Sequence, residues 1–179
     1  MKILQAYIFF SIKFAGGTSD LMFKLCKALE KKSVKNTVLC GSHQFDKDLS
    51  KKLKNTSFVV CRSFFDKLGF SITPGYINYL YKNLKYFDTV HMHVYRTFQN
   101  IVIYFFCKIY NIPYIMDAHG SVPYFTNKKF LKKIFDFFIG KKILKDAKYL
   151  IAETEVGKKE YLDLLPTLDH NKIKIISPP

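Results

Sequence analysis

The stretch from Pro113 to Ser121, Pro-Tyr-Ile-Met-Asp-Ala-His-Gly-Ser, holds the densest set of chemically capable side chains. A short apolar run ends there in Asp117, His119 and Gly120. A neutral imidazole at a strand end can orient a hydroxyl, accept its proton or contact a sugar. The bland alternative is a loop histidine held by a backbone carbonyl. Asp117 either orients that ring or caps the loop, and Gly120 opens the loop. Two other apolar runs end in suggestive residues. Gly16-Gly17 follows the first run, where glycines let a backbone approach a ligand and a helix amino end offers free N–H groups to a phosphate. A plain tight turn would use the same pair. His91-Met92-His93 closes a middle run, and residues two apart share one face of a strand. Facing imidazoles can bind a metal, but no carboxylate or cysteine with supporting spacing follows. No metal is therefore expected; one histidine should face the strand-end crevice and the other should be structural. There is no G-x-G-x-x-G and no Walker lysine pattern, so neither a dinucleotide nor ATP is specified.

These residues need a scaffold that brings strand ends together, and the pattern supplies one. Strands are expected over Ile3–Phe10, Thr37–Cys40, Ser57–Cys61, Thr89–Met92, Tyr114–Met116, Tyr149–Ala152 and Ile173–Ile176. Helical spacing is expected over Thr18–Lys32, with Thr18 or Ser19 as cap, and over Phe45–Leu53, Phe98–Tyr110 and Glu155–Leu164. Thr73–Leu84 should be a helix capped by Thr73 with Pro74 first. Phe130–Lys148 should be one long basic helix. Regular alternation of this kind predicts a Rossmann-like three-layer α/β/α fold, a mainly parallel sheet of about seven strands in one domain over residues 1–179. In such sheets ligands gather outside the carboxyl ends of the strands.

The chain has 179 residues, 49% of them hydrophobic, enough for one real core. Its net charge is +15, and of 29 basic residues only Arg62 and Arg96 are arginine. Readers of bases and phosphates favour the planar fork of arginine. A lysine surplus fits anionic lipid, or plain solubility, better than nucleic acid. The segment Phe130 to Lys145 interleaves apolar and cationic residues, so it could lie on an anionic membrane or pack with a lysine-rich outer face. No apolar run approaches the ~20 residues needed to span a bilayer. Cys26, Cys40, Cys61 and Cys107 lie far apart without a Cys-x-x-Cys, as buried reduced thiols of a cytoplasmic protein would.

In order and spacing these pieces resemble the amino-terminal domain of the GT-B glycosyltransferases of family 4 (glycosyl transferases group 1). Four segments carry the resemblance: Gly16-Gly17-Thr18 with Leu25 to Leu29, Phe87 to His93, Ile112 to Gly120, and Ala147 to Glu155, closed by Lys172 to Pro178. The resemblance implies one half of a GT-B fold that mainly binds the acceptor. It implies transfer of a sugar with retention from a nucleotide-sugar to a glycan or lipid-linked acceptor, with no metal and no further cofactor. Gly16 and Gly17 would lie near donor phosphates and acceptor, and His119 would line the cleft as the catalytic residue. His93, Asp117, Gly120, Thr154 and Glu155 would contact substrate. Thr154 stands where serine is common, and Pro179 stands where the family usually has Asn-Gly. The carboxyl-terminal nucleotide-sugar domain is expected to be absent from this chain, so the piece should fold alone and transfer little sugar. A peripheral position at the cytoplasmic membrane face would suit the charge. The other classes in play are a non-catalytic α/β ligand-binding module and a basic domain that binds nucleic acid or a membrane surface.

Overall fold

The structure is a computed structural model that describes residues 1–43, 45–67, 70–124 and 129–177. Seven parallel strands form the central sheet: β1 (Lys2–Ala6), β2 (Lys35–Gly41), β3 (Thr56–Cys61), β6 (Thr89–His93), β7 (Tyr114–Asp117), β8 (Tyr149–Ala152) and β9 (Ile173–Ile175). Their order is β3-β2-β1-β6-β7-β8-β9. The order reverses between β1 and β6, so the switch-point crevice opens beside Ala6 and His93. The expected Rossmann-like sheet is therefore present. Outside it, β4 (Phe64–Lys67) and β5 (Phe70–Ile72) form an antiparallel pair that the sequence pattern did not announce.

The helices are α1 (Ile12–Lys31), α2 (Lys47–Lys51), α3 (Gly75–Asn83), α4 (Phe98–Tyr110), α5 (Lys129–Phe135), α6 (Lys141–Asp146) and α7 (Glu155–Leu164). Right-handed crossovers put α1 and α2 on one face of the sheet and α3 to α7 on the other. Two apolar cores match that division. The smaller joins Tyr7, Phe10, Met22, Cys26 and Val38. The larger joins Met92, Ile103, Met116, Ile143, Leu150 and Tyr161. All four cysteines are buried and unpaired.

Local chemistry explains most boundaries. The Thr97 hydroxyl caps α4 by accepting from Asn100 N at 3.1 Å, and Asn111 ends that helix in the left-handed conformation (φ 54°). Three expectations shift. β1 stops at Ala6, and Phe10 returns only as a bridge to Phe45. Thr73 does not cap α3, because its hydroxyl accepts from Gln99 Nε2 at 2.9 Å. The long basic helix is broken by a π-helical turn over Asp136–Gly140. That turn has a cause: Asp136 is drawn inward to Arg96, and a Cβ on Gly140 would sit 2.5 Å from the Tyr95 hydroxyl. A single inserted residue reconciles both demands.

Candidate functional site

The site is built where β1, β6, β7 and β8 end. Gln5, on β1, is a buried polar residue between the apolar Leu4 and Ala6. His93 closes β6, His119 follows β7 by two residues, and Glu153 follows β8. Their side chains form one hydrogen-bonded row. His93 Nε2 lies 2.7 Å from Gln5 Oε1, His93 Nδ1 lies 2.9 Å from His119 Nε2, and His119 Nδ1 lies 3.0 Å from Glu153 Oε1. Asp117 Oδ1 sits 3.3 Å from the same Nδ1 and accepts the His119 backbone N–H at 3.2 Å. The His93 and His119 rings are parallel within 4°, and His91 packs on His93 at 4.0 Å between centroids.

Backbone strain holds this row in place. Val94 (φ 62°) and His119 (φ 46°) both sit in the left-handed region, which a β-branched residue rarely enters. Val94 is over-determined: its N–H donates to the Asp117 carbonyl at 2.9 Å, and its own carbonyl accepts from Asn100 Nδ2 at 2.6 Å. Behind His119, Ser121 Oγ accepts from Tyr95 N at 2.9 Å. Arg96 then ties the whole loop down. Its guanidinium donates to the Ser121 and Val122 carbonyls at 2.6 and 2.8 Å and to both oxygens of Asp136. The Tyr161 hydroxyl donates to the Ile151 carbonyl and accepts from Ala118 N, each at 3.1 Å, which joins the ends of β7 and β8.

The hydrogen-bond roles fix the protons. Burial holds His91 down at about 3 and His93 well below its ordinary value, so both rings are neutral. Gln5 Oε1 can only accept, so the single proton of His93 sits on Nε2. His93 Nδ1 is then an acceptor, and His119 Nε2 must donate to it. His119 Nδ1 faces two carboxylates and shares one further proton with Glu153. Burial, partly countered by His119, raises Asp117 above its usual carboxylate value. The His119 side chain is 5% exposed and that of Glu153 is 35% exposed.

Two cavities meet at His119 and Glu153. One, of about 230 Å³, lies against α1 and is walled by Leu21, Leu25, His91 and Ile151. The other, of about 130 Å³, lies toward α7 and reaches Gly120, Thr154 and Tyr161. A ligand hydroxyl entering at Glu153 can replace the carboxylate as partner of His119 Nδ1. Two triads, His91-His93-Asp117 and Asp117-His119-Glu153, bring three ligand atoms each within 4.8 Å of one another and could hold a cation. In the second triad His119 Nδ1 already meets both carboxylates, and His93 Nδ1 already pairs with His119.

The sequence-derived residues distribute as follows. His93, Asp117 and His119 come together, and His91 joins them through its ring. Gly120 (φ 69°) lines the smaller cavity. Gly16 (φ 53°, ψ −131°) is a non-helical kink that joins two helical pieces of α1, so Gly17 stands where the second piece begins. Ser19, in the piece that follows, accepts from Ser11 N and reaches the Tyr7 hydroxyl at 3.4 Å, and the Tyr7 ring packs edge-on to His93. Thr154 caps α7 by accepting from Gly157 N at 3.1 Å, and Glu155 stands exposed in its first turn. Gln5, Arg96 and Glu153 escaped the sequence reading. A glutamine inside an apolar first strand was the available signal for Gln5. Pro178 and Pro179, which close the resemblance, lie outside the described residues.

The model of Glycosyltransferase Family 4 matches residues 15–179. Among solved structures, the Anabaena protein HepE (Alr3699) in complex with UDP-glucose is similar with a TM-score of 0.67 at 13% identity, over 99% of this chain and 44% of that one. The lipopolysaccharide outer core galactosyltransferase WaaB gives 0.64 at 14% identity, over 100% and 46%. The UDP-GlcNAc 2-epimerase of Methanocaldococcus jannaschii gives 0.60 at 16% identity, over 98% and 44%. At such identities the likeness is one of fold. The chain spans less than half the length of these neighbours. No curated protein matches it.

Proposed function

The chain belongs to glycosyltransferase family 4, and from that premise we propose that it is the acceptor-side half of a retaining glycosyltransferase. The donor is a nucleotide-sugar, in keeping with the UDP-glucose bound by HepE, and the acceptor is a glycan or a lipid-linked sugar. The observation that carries this reading is the proton-bearing row from Gln5 through His93 and His119 to Glu153, which ends at solvent on the carboxyl edge of the sheet.

His119 acts by hydrogen bonding. A sugar hydroxyl that enters beside Glu153 takes a hydrogen bond from His119 Nδ1, while His93 and Gln5 keep the ring oriented. Developing negative charge on the leaving diphosphate needs preorganised donors. Gly16 and Gly17 are exposed, with no atom near their missing side chains, and leave room for a phosphate to approach the backbone. Gly120 and Thr154 line the smaller cavity on the α7 side, and Glu155 stands exposed next to Thr154. The remaining donor contacts come from a second domain that faces this edge, so this chain alone transfers little. Protons rather than a metal satisfy the cluster in this reading. Four buried, unpaired thiols support a reducing, cytoplasmic setting.

The test is transfer of a labelled sugar from a nucleotide-sugar by a protein that joins this chain to its donor-binding domain. His119→Ala lowers kcat/KM by roughly 100-fold or more, the scale of a positioned proton donor. Glu153→Gln keeps the fold and lowers it by about tenfold. Rates within twofold of the parent for both variants would overturn the assignment.

A further inference from the structure

The outer face of α5, the π turn and α6 carries large apolar side chains in open solvent. Phe137 is 78% exposed and Phe138 is 67% exposed, with Phe130, Leu131 and Ile134 beside them. The π turn explains why neighbours in sequence both point outward. Asp136 and Gly140 face inward, fixed by Arg96 and Tyr95, and the wider turn sends both intervening phenylalanines to solvent. Their rings meet edge to face at 5.2 Å and form one wedge. Around it stand Lys129, Lys133, Lys141, Lys142 and Lys145, all exposed. Between residues 129 and 145 the single acid is Asp136, which is buried.

We propose that this face rests on an anionic membrane surface, with Phe130, Phe137 and Phe138 at the boundary of headgroups and acyl chains and the lysines on lipid phosphates. The charge of the rim selects this occupant. Protein interfaces are depleted of lysine and mix both signs, whereas this rim is purely cationic and purely lysine. Nucleic acid calls for grooves with open stacking platforms; here the two rings pack edge to face against each other and project from a helix. A charged polar face beside exposed phenylalanines is the pattern of an interfacial helix. No helix among the described residues is long and apolar enough to cross a membrane, so contact would be peripheral. The inference does not depend on sugar transfer and is read without it.

The measurement is cosedimentation of the chain with phosphatidylcholine vesicles that contain roughly one-third phosphatidylserine, against vesicles of phosphatidylcholine alone. The chain binds the anionic vesicles, binds the neutral ones weakly, and loses affinity as salt rises. Phe137→Ser with Phe138→Ser lowers the partition coefficient at least about tenfold, since each ring gives up apolar burial. Lys141→Gln with Lys142→Gln lowers it by about 25-fold, at about fivefold per lysine. Tyr81→Ser, which removes an exposed ring from α3, changes nothing. Circular dichroism confirms that every variant is folded. The proposal is overturned if wild-type chain ignores anionic vesicles, or if the double phenylalanine variant binds as well as wild type. It is equally overturned if light scattering shows a dimer that this variant dissolves, because the face would then belong to a second copy.

Discussion

Acidification from pH 7 to pH 5 should destabilise this fold by at least about 2 kcal/mol, the share of His91, with His93 acting in the same direction. An unfolded histidine titrates near 6.5. In the folded chain burial holds His91 down at about 3. Between those values the unfolded state binds a proton that the folded state refuses, so stability rises with pH there. The contribution is complete above about 6.5 and is lost as pH falls. At pH 5 the ~1.5 units below 6.5 cost about 2 kcal/mol at 1.36 kcal/mol per unit. His93 is pushed well below 6.5 by the same burial and acts in the same direction. Asp117 works in the opposite sense. Its raised value favours the folded state at low pH, a contribution that disappears as pH climbs through that value. Domains of this size hold about 5–15 kcal/mol in all, so the loss is large. Urea unfolding followed by circular dichroism at pH 7, 6 and 5 gives the slope. His91→Phe sharpens the test. The buried His91 Nε2 has no hydrogen-bond partner, so the substitution removes one titrating group and no bond. Stability at pH 7 should stay within about 1 kcal/mol, while the slope at the acid end falls by about 1.4 kcal/mol per pH unit, one proton's worth. A wild-type stability that is flat from pH 7 to 5, or an unchanged slope in His91→Phe, would refute the reasoning.

Arg96→Ala leaves Asp136 buried without its cation and should cost about 3–5 kcal/mol in urea unfolding. Arg96→Lys should recover only part of that, since an ammonium cannot span both carboxylate oxygens and two carbonyls. Gly140→Ala places a methyl 2.5 Å from the Tyr95 hydroxyl and 2.6 Å from Asp136 Oδ1, which should cost about 1–3 kcal/mol and lower the Tm. Gly16→Ala forces a side chain into positive φ and should cost about 1–3 kcal/mol. Gly17→Ala meets no atom within 4 Å and should leave Tm unchanged, so any loss of transfer in Gly17→Ala reports on ligand approach alone.

The scaffold was legible because parallel strands buried on both faces write themselves as apolar runs. Tyr149–Ala152, Phe98–Tyr110 and Glu155–Leu164 were placed to the residue. The failures share a cause: tertiary partners overruled local pattern. Nothing local says that Thr73 Oγ1 will serve Gln99 instead of a helix amino end. Residues 130–148 have flawless helical composition, and only the distant Arg96 and Tyr95 make Asp136 and Gly140 demand the same side. Glycine frees the backbone, and at Gly16 that freedom is used for the kink between two helical pieces of α1.

The site was legible in its residue types and illegible in its proton count. Histidines at the ends of two strands marked the right edge of the sheet, yet their chemistry is decided by what stands at either end of the row. Gln5, on a strand chosen for apolarity, offers only an acceptor, and that choice propagates. It sets the His93 tautomer, which makes His119 Nε2 a donor, which turns His119 Nδ1 and its shared proton toward Glu153. Gln5→Leu should therefore disturb His119 without touching it, by freeing His93 to carry its proton on Nδ1 and donate it to His119 Nε2, which then has to give up its own proton. The imidazole resonances of His119 in NMR should move in that variant while helix content stays constant. If they stay in place, the row does not couple its ends, and Glu153 acts on His119 alone.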